Sequence, residues 1–243
     1  MTEGIYVALS GALAQAMSLE TTAGNLANAG TDGFQRTLPR FREELSRAGS
    51  GEPASHYASV GGTSLDVSPG ALRPTGRALD VAMPAGTYLA VSTAAGERYT
   101  RAGSLSVGTD GRLRTTGGAT VLGEDGQSIS VPGDASAARI DTDGQVYSGA
   151  QPAGRLRLVS FANPSELAHD QGALLMSTPA AGAMSAARGP LVPGQLEGSN
   201  ANIVTAMTDL VTATRTFEAF QRVIDTFRDE DRRVVTTVPD ANQ

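Results

Sequence analysis

The sequence predicts an α+β protein in which N- and C-terminal heptad helices pack together, with a central antiparallel β domain between them in the chain. Three features point to it. Near both ends, apolar residues recur at spacings of three and four. Between about residues 60 and 190 that period disappears. In its place stand short β-rich runs punctuated by Asp-Gly dipeptides.

The first seam is Ile5, Leu9, Ala12, Ala16, Leu19, Ala23 and Leu26, with spacings that alternate four and three. Asn28, Gly30 and Gly33 supply a stop. A helix from about Gly4 to Ala29 would be roughly 39 Å long at 1.5 Å per residue. The second seam is Ile203, Ala206, Leu210, Ala213, Phe217, Phe220, Ile224 and Phe227, with Ser199 and Asn200 as caps before it. Ala-rich positions on one seam suit the Phe side chains of the other. The expected divisions are 1–34 for the first helix, 35–75 for a linker and extended segment, 76–190 for the β domain, and 191–243 for a return segment, helix and a Pro-containing tail from Val234 to Gln243.

Within the middle, Asp110-Gly111, Asp125-Gly126 and Asp143-Gly144 read as hairpin turns, because such turns need residues that tolerate positive φ. The clearest strands are Tyr88–Val91, Ser104–Val107, Ile129–Val131, Arg139–Ile140 and Arg155–Phe161. Residues 46–64, rich in Ser, Gly, Ala and Pro, read as a loop, and Pro179–Gly198 as an extended return.

Composition excludes several function classes. The chain has no Cys, so it has no disulfide framework, thiolate metal site or cysteine nucleophile. Its 19 basic residues are all Arg, and against 25 acidic ones they leave a net charge of −6, which argues against a general nucleic-acid binder. The longest apolar runs fall far short of the roughly 20 residues of a membrane span. Met1-Thr2-Glu3-Gly4-Ile5 carries an acid where a secretory signal carries basic residues, so export by a cleaved signal is not expected.

No catalytic, cofactor or metal site is expected. Asp141-Thr142-Asp143-Gly144 resembles the start of a calcium loop, but Pro152 stands where the bidentate Glu belongs. His56 and His169 lack a helical i, i+4 partner, and adjacent His169-Asp170 would seldom face each other productively. The cluster Arg228–Arg233 reads as a solvated helix end. The apolar residues of the two seams are too few to offset the backbone entropy of ordering both helices. The ends are therefore expected to order when several subunits lie side by side.

Four motifs resemble those of the bacterial flagellar rod and hook family. They are Tyr6–Ala12 with Asn25–Phe34; Gly70–Leu72 with Thr75–Ala82, including Thr75, Gly76, Leu79 and Asp80; Tyr99–Ser104; and Leu196–Asn200 with Arg215–Glu218. In that resemblance Asn25, Asn28, Gly33, Phe34, Glu197, Ser199, Asn200, Arg215 and Glu218 are motif positions. The resemblance implies a non-enzymatic rod subunit that assembles with itself and other flagellar rod proteins. It also implies a basal-body location and passage through the flagellar export apparatus. The short segment after the first helix is most similar to the proximal rod protein, with a distal rod or hook subunit as the alternative. Two other classes remain: a secreted β-rich adhesion module, and a hydrolase using Glu43 or Glu44.

Each motif also has a local reading. Asn25 and Asn28 stand one helical turn apart, as a polar rail or a helix end. Gly33 supplies a φ that lets Phe34 fold back into a core. Thr75-Gly76 turns the chain before Leu79-Asp80-Val81, and Arg215 and Glu218 are spaced for an i, i+3 pair. Gly86-Thr87-Tyr88 departs from the family's Gly-Phe-Phe and leaves an aromatic missing.

Overall fold

The computed structural model describes residues 2–46, 55–133 and 135–237. The chain is α+β, with two long helices and many antiparallel strands, and it divides into two compact units. One unit comprises Met1–Leu26, Leu38–Thr63 and Ile203–Gln243; the other comprises Ala27–Thr37 and Ser64–Asn202.

In the first unit, α1 spans Thr2–Ala27 and α2 spans Ile203–Thr237. The α2 segment contains neither Gly nor Pro, so nothing interrupts it. It runs ten residues beyond the last seam position, Phe227, through the Arg228–Arg233 cluster, where Arg228–Asp225 and Arg232–Asp229 pair one turn apart at 3.6 and 3.9 Å. Residues 234–237, expected in the tail, are therefore helical; 238–243 lie outside the described residues. Strands Thr37–Ser46 and Ser55–Leu65 pair with each other. The loop reading of 46–64 is thus corrected for Ser46 and for 55–64, while 47–54 lie outside the described residues. Composition misled there because backbone pairing within a two-stranded ribbon does not require strand-forming side chains.

The two helices meet where α1 is smallest. Gln15 Nε2 donates to the Ala213 carbonyl at 3.3 Å, and the Phe220 ring lies so close to Gly11 that a Cβ there would stand 2.6 Å from it. Those pairings make the helices antiparallel, since rising numbers on α1 meet falling numbers on α2.

The second unit is built on a nine-stranded antiparallel sheet among the described residues. Its central strand, Tyr88–Thr93, pairs with Gly96–Thr100, Thr120–Val121 and Leu158–Phe161. Tyr88 to Val91 are all buried because the strand separates two cores. Leu89 and Val91 face one with Val81, Leu105, Leu113 and Val121, while Tyr88 and Ala90 face the other with Tyr99, Phe161 and Leu175. A three-stranded sheet joins Ala138–Ile140, Gln145–Ser148 and Gln151–Arg155.

The three Asp-Gly turns form as anticipated. Gly111, Gly126 and Gly144 have φ of 72°, 76° and 81°, between the pairings Val107–Leu113, Leu122–Ser128 and Ile140–Val146. Two strand readings need correction. Ile129–Val131 is held only by single bridges on either side of Ile129, Ser128 to Leu122 and Ser130 to Arg112. Arg155–Phe161 is two strands, Gln151–Arg155 and Leu158–Phe161, because the chain leaves one sheet for another at Leu156-Arg157.

Candidate assembly surface and motif residues

The heptad residues do not face one another squarely. Gly11 and Gln15, which meet α2, stand roughly 60–100° around α1 from Ala12 at 3.6 residues per turn. Ala12, Ala206 and Ala213 are buried, whereas Leu9 is 56% and Ile203 48% exposed. Ile5, Ala16, Leu19, Leu26, Leu210, Phe217, Phe220, Ile224 and Phe227 are half-buried, and Ala23 is exposed. Leu9, Ala12 and Ala16, with Leu13, form one wall of an open groove of about 510 Å³. Phe217 and Ile224, with Gln221, Asp225 and Arg228, form the other. Both seams thus turn toward a shared groove.

The motif residues of the second unit are gathered by hydrogen bonds. Ser199 and Asn200, expected as helix caps, stand ahead of the helix start at Ile203. Ser199 Oγ accepts from the Ala201 amide at 3.1 Å. Asn200 ties three stretches of backbone together: its Oδ1 accepts from the Arg36 amide at 2.6 Å, and its Nδ2 donates to the carbonyls of Asp66 and Ser68 at 2.8 and 2.9 Å. Arg36 also reaches Asp66 at 2.8 Å. Burial pushes the Asp66 carboxyl up, but hydrogen bonds from Ser68 and Arg36 outweigh it and hold the group below its ordinary value.

Gly33 has φ of 70°, and its amide donates to the Glu197 carbonyl at 2.7 Å. That conformation turns Phe34 into the interior, where it stacks on His169 with centroids 4.7 Å apart. His169 Nε2 contacts the Gln35 carbonyl at 2.7 Å. Burial lowers the imidazole pKa against backbone groups at Gln35 and Gly172 that favour the charged form. Asp170 does not orient it, because that carboxylate pairs with Arg98 at 2.6 Å. The packing around Gly86-Thr87-Tyr88 is intact without the missing aromatic. Tyr88 is buried, its hydroxyl donates to Gln35 Oε1 at 3.1 Å, and its ring lies 6.0 Å from Phe161.

The most committed polar group is one that sequence reasoning did not single out. All five N–H donors of Arg101 are used. Nε and Nη2 grip the two Glu197 oxygens, Nη1 reaches the Pro84 and Thr87 carbonyls at 3.0 and 2.7 Å, and Nη2 reaches that of Met83 at 3.3 Å. Both side chains are 3% exposed. Glu197 Oε1 also accepts from the Gly70 amide at 2.9 Å. Because Arg101 and Glu197 lie in separate motifs 96 residues apart, no local spacing announces the pair. Their only signal is that both fall within motif stretches.

Asp80 is equally buried, at 1% exposed, yet no hydrogen-bond donor meets its carboxylate among the described residues; Arg77 Nη1 is 3.4 Å away. Leu79 rests against the larger core, and Gly76 makes its turn at φ 71° beside Thr75, whose amide donates to the Gly194 carbonyl at 2.8 Å. Asn28 lies just past the end of α1, and its Oδ1 accepts from Thr31 Oγ1 at 3.4 Å. Among the described residues no ion pair joins Arg215 to Glu218, and both are exposed on α2. The side chains of Glu43 and Glu44 lie outside the described residues.

Three stretches of the chain match known families in order. Residues 5–35 match the flagella basal body rod protein, 83–148 the flagellar hook protein FlgE/F/G D1 domain, and 192–236 the flagellar basal body rod FlgEFG protein C-terminal region. Flagellar basal-body rod protein FlgF of Escherichia coli (strain K12) is 34% identical over 96% of this chain and 97% of its own length. The chain belongs to the flagellar basal-body rod protein family. FlgF of Salmonella typhimurium is also 34% identical, over 96% and 97%, and FlgG of Bacillus subtilis (strain 168) is 30% identical over 93% and 95%. This rod-family chain is a structural subunit of the bacterial flagellar basal-body rod. No helix among its described residues is long and apolar enough to cross a membrane.

Proposed function

We propose that this rod subunit assembles with copies of itself and with other rod proteins into a rigid shaft, at the proximal position, and has no catalytic role. In the assembled rod the two heptad seams pack with each other and with neighbouring helices as the inner tube, and residues 76–190 form the outer β domain. Within residues 1–34 and 191–243, α1 and α2 supply the tube, and the chain reaches its site through the flagellar export apparatus. The observation that carries this reading is the open groove between α1 and α2, which is walled by apolar seam residues of both helices and on which Leu9 is 56% exposed. The segment after α1 is short in sequence, which in the family resemblance favours the proximal position. Close-packed helices resist twist because shear must break many contacts together, which suits a drive shaft.

Phe217 forms part of the groove wall, so Phe217→Asp places a charge where an apolar neighbour belongs. The variant should melt like the parent in its β unit but be missing from isolated basal bodies, leaving cells non-motile. Leu210→Asp, on the same seam, should behave alike. Normal swimming with either variant as the sole copy would contradict the reading.

A further inference from the structure

Residues 33–36 bring the chain to the crossing between its two units, since Ala27–Thr37 belongs to the second unit and Leu38–Thr63 to the first. The strip is pinned residue by residue into the second unit. The Gly33 amide donates to the Glu197 carbonyl, the Phe34 carbonyl accepts from the Asn200 amide at 3.2 Å, and the Arg36 carbonyl accepts from the Asp66 amide at 2.9 Å. The Gln35 side chain takes the Tyr88 hydroxyl, and the Arg36 amide donates to Asn200 Oδ1. His169 supplies two further pins: its ring stacks on Phe34, and its Nε2 meets the Gln35 carbonyl.

The His169 contacts suit the neutral ring. A carbonyl can only accept, so Nε2 carries the hydrogen and Nδ1 keeps its lone pair. Nδ1 is shut off from solvent and has no hydrogen-bond partner among the described residues. A proton added there creates a buried charge. Burial opposes it and outweighs the backbone groups of Gln35 and Gly172 that favour it, and no charged side chain acts on the ring. The adjacent Asp170 is taken by Arg98, and Asp32, just ahead of the strip, pairs with Arg73. The Phe34 face attracts a cation, yet a phenyl ring is a weak substitute for a carboxylate. To hydrate its charge, the ring must leave both Phe34 and the Gln35 carbonyl. The other titratable groups that hold the strip shift away from neutrality: Asp66 stays below its ordinary value, and burial pushes the Tyr88 hydroxyl up.

We infer that His169 is a proton-operated latch: the neutral ring pins Phe34 and Gln35 to the β unit, and proton uptake at Nδ1 releases the strip that leads the chain into its other unit. The pinned ring binds a proton less readily than a freed one. The pinned form is therefore fully favoured above the imidazole's ordinary 6.5, and loses ground as pH falls below that value toward the lower one of the pinned state.

His56 and His169 are the chain's two imidazoles, so full-length His56→Gln leaves one to follow by NMR. Its titration midpoint should lie below 6.5. Between about pH 7.5 and about pH 5, exchange of the Phe34 and Arg36 amides, corrected for intrinsic rate, should quicken several-fold more than that of Leu105–Val107. His169→Phe offers Phe34 a ring that takes up no proton, and should abolish that difference. A midpoint at or above 6.5, equal quickening of the strip and Leu105–Val107, or the same acid response in His169→Phe would each overturn the latch. Should His169→Phe fail to fold, the titration and exchange of His56→Gln decide between the same outcomes.

Discussion

Glu197→Ala should be among the most destabilising single substitutions in the β unit. It removes the carboxylate from Arg101 while the guanidinium stays buried, and it strips the Gly70 amide of its acceptor. Breaking one side of a buried pair costs about 3–5 kcal/mol, which for a chain of this size lowers the melting temperature by about 6–20 °C. Arg101→Met should be no gentler than Glu197→Ala, because the carbonyls of Met83, Pro84 and Thr87 would lose their donor. Arg101→Lys keeps the charge but not the planar fork, and should fall between the parent and Glu197→Ala. Thermal unfolding followed by near-ultraviolet circular dichroism checks all three. A loss of less than about 1 kcal/mol for Glu197→Ala would show that the pair does not hold the fold.

Gly33→Ala should cost nearly as much by a different route. At φ 70° an L side chain is strained, and the new Cβ would stand 2.2 Å from the Ala102 amide nitrogen and 2.3 Å from the Arg101 carbonyl carbon, both backbone atoms that cannot swing away. The left-handed conformation adds about 1–2 kcal/mol and the overpacking about 1–3 kcal/mol, so roughly 2–5 kcal/mol is expected in urea titrations. Gly30→Ala is the matched control, since nothing lies within 4 Å of its Cβ. It should unfold within about 0.5 kcal/mol of the parent. Equal stability for the two variants would refute the close approach at Gly33.

Features set by a few adjacent residues were legible from sequence. Each Asp-Gly pair specifies its own turn chemistry, and Gly33 before a large apolar residue signals a chain reversal. The seams gave the two helices, because a three-and-four period has few other uses. What escaped depends on distant partners. Asn200 fits a cap by residue type, but its amide is taken by Arg36, Asp66 and Ser68, which only the tertiary fold brings near it. The Arg101–Glu197 pair escaped for the same reason. Periodicity identifies the apolar face of a helix without naming its partner, so Gly11 and Gln15 meet α2 while Leu9 faces the groove. The strand at residues 55–65 escaped because its sequence lacks the alternation that marks a half-buried strand.

Amide hydrogen exchange, compared between dilute subunit and assembled rods, asks directly whether neighbours order the terminal helices. In the free chain, amides of residues 5–26 and 203–230 should exchange far faster than those of Tyr88–Val91 or Leu105–Val107. In rods all of them should be slow. If the two helices of the dilute subunit were already as protected as the β core, assembly would not be what holds them.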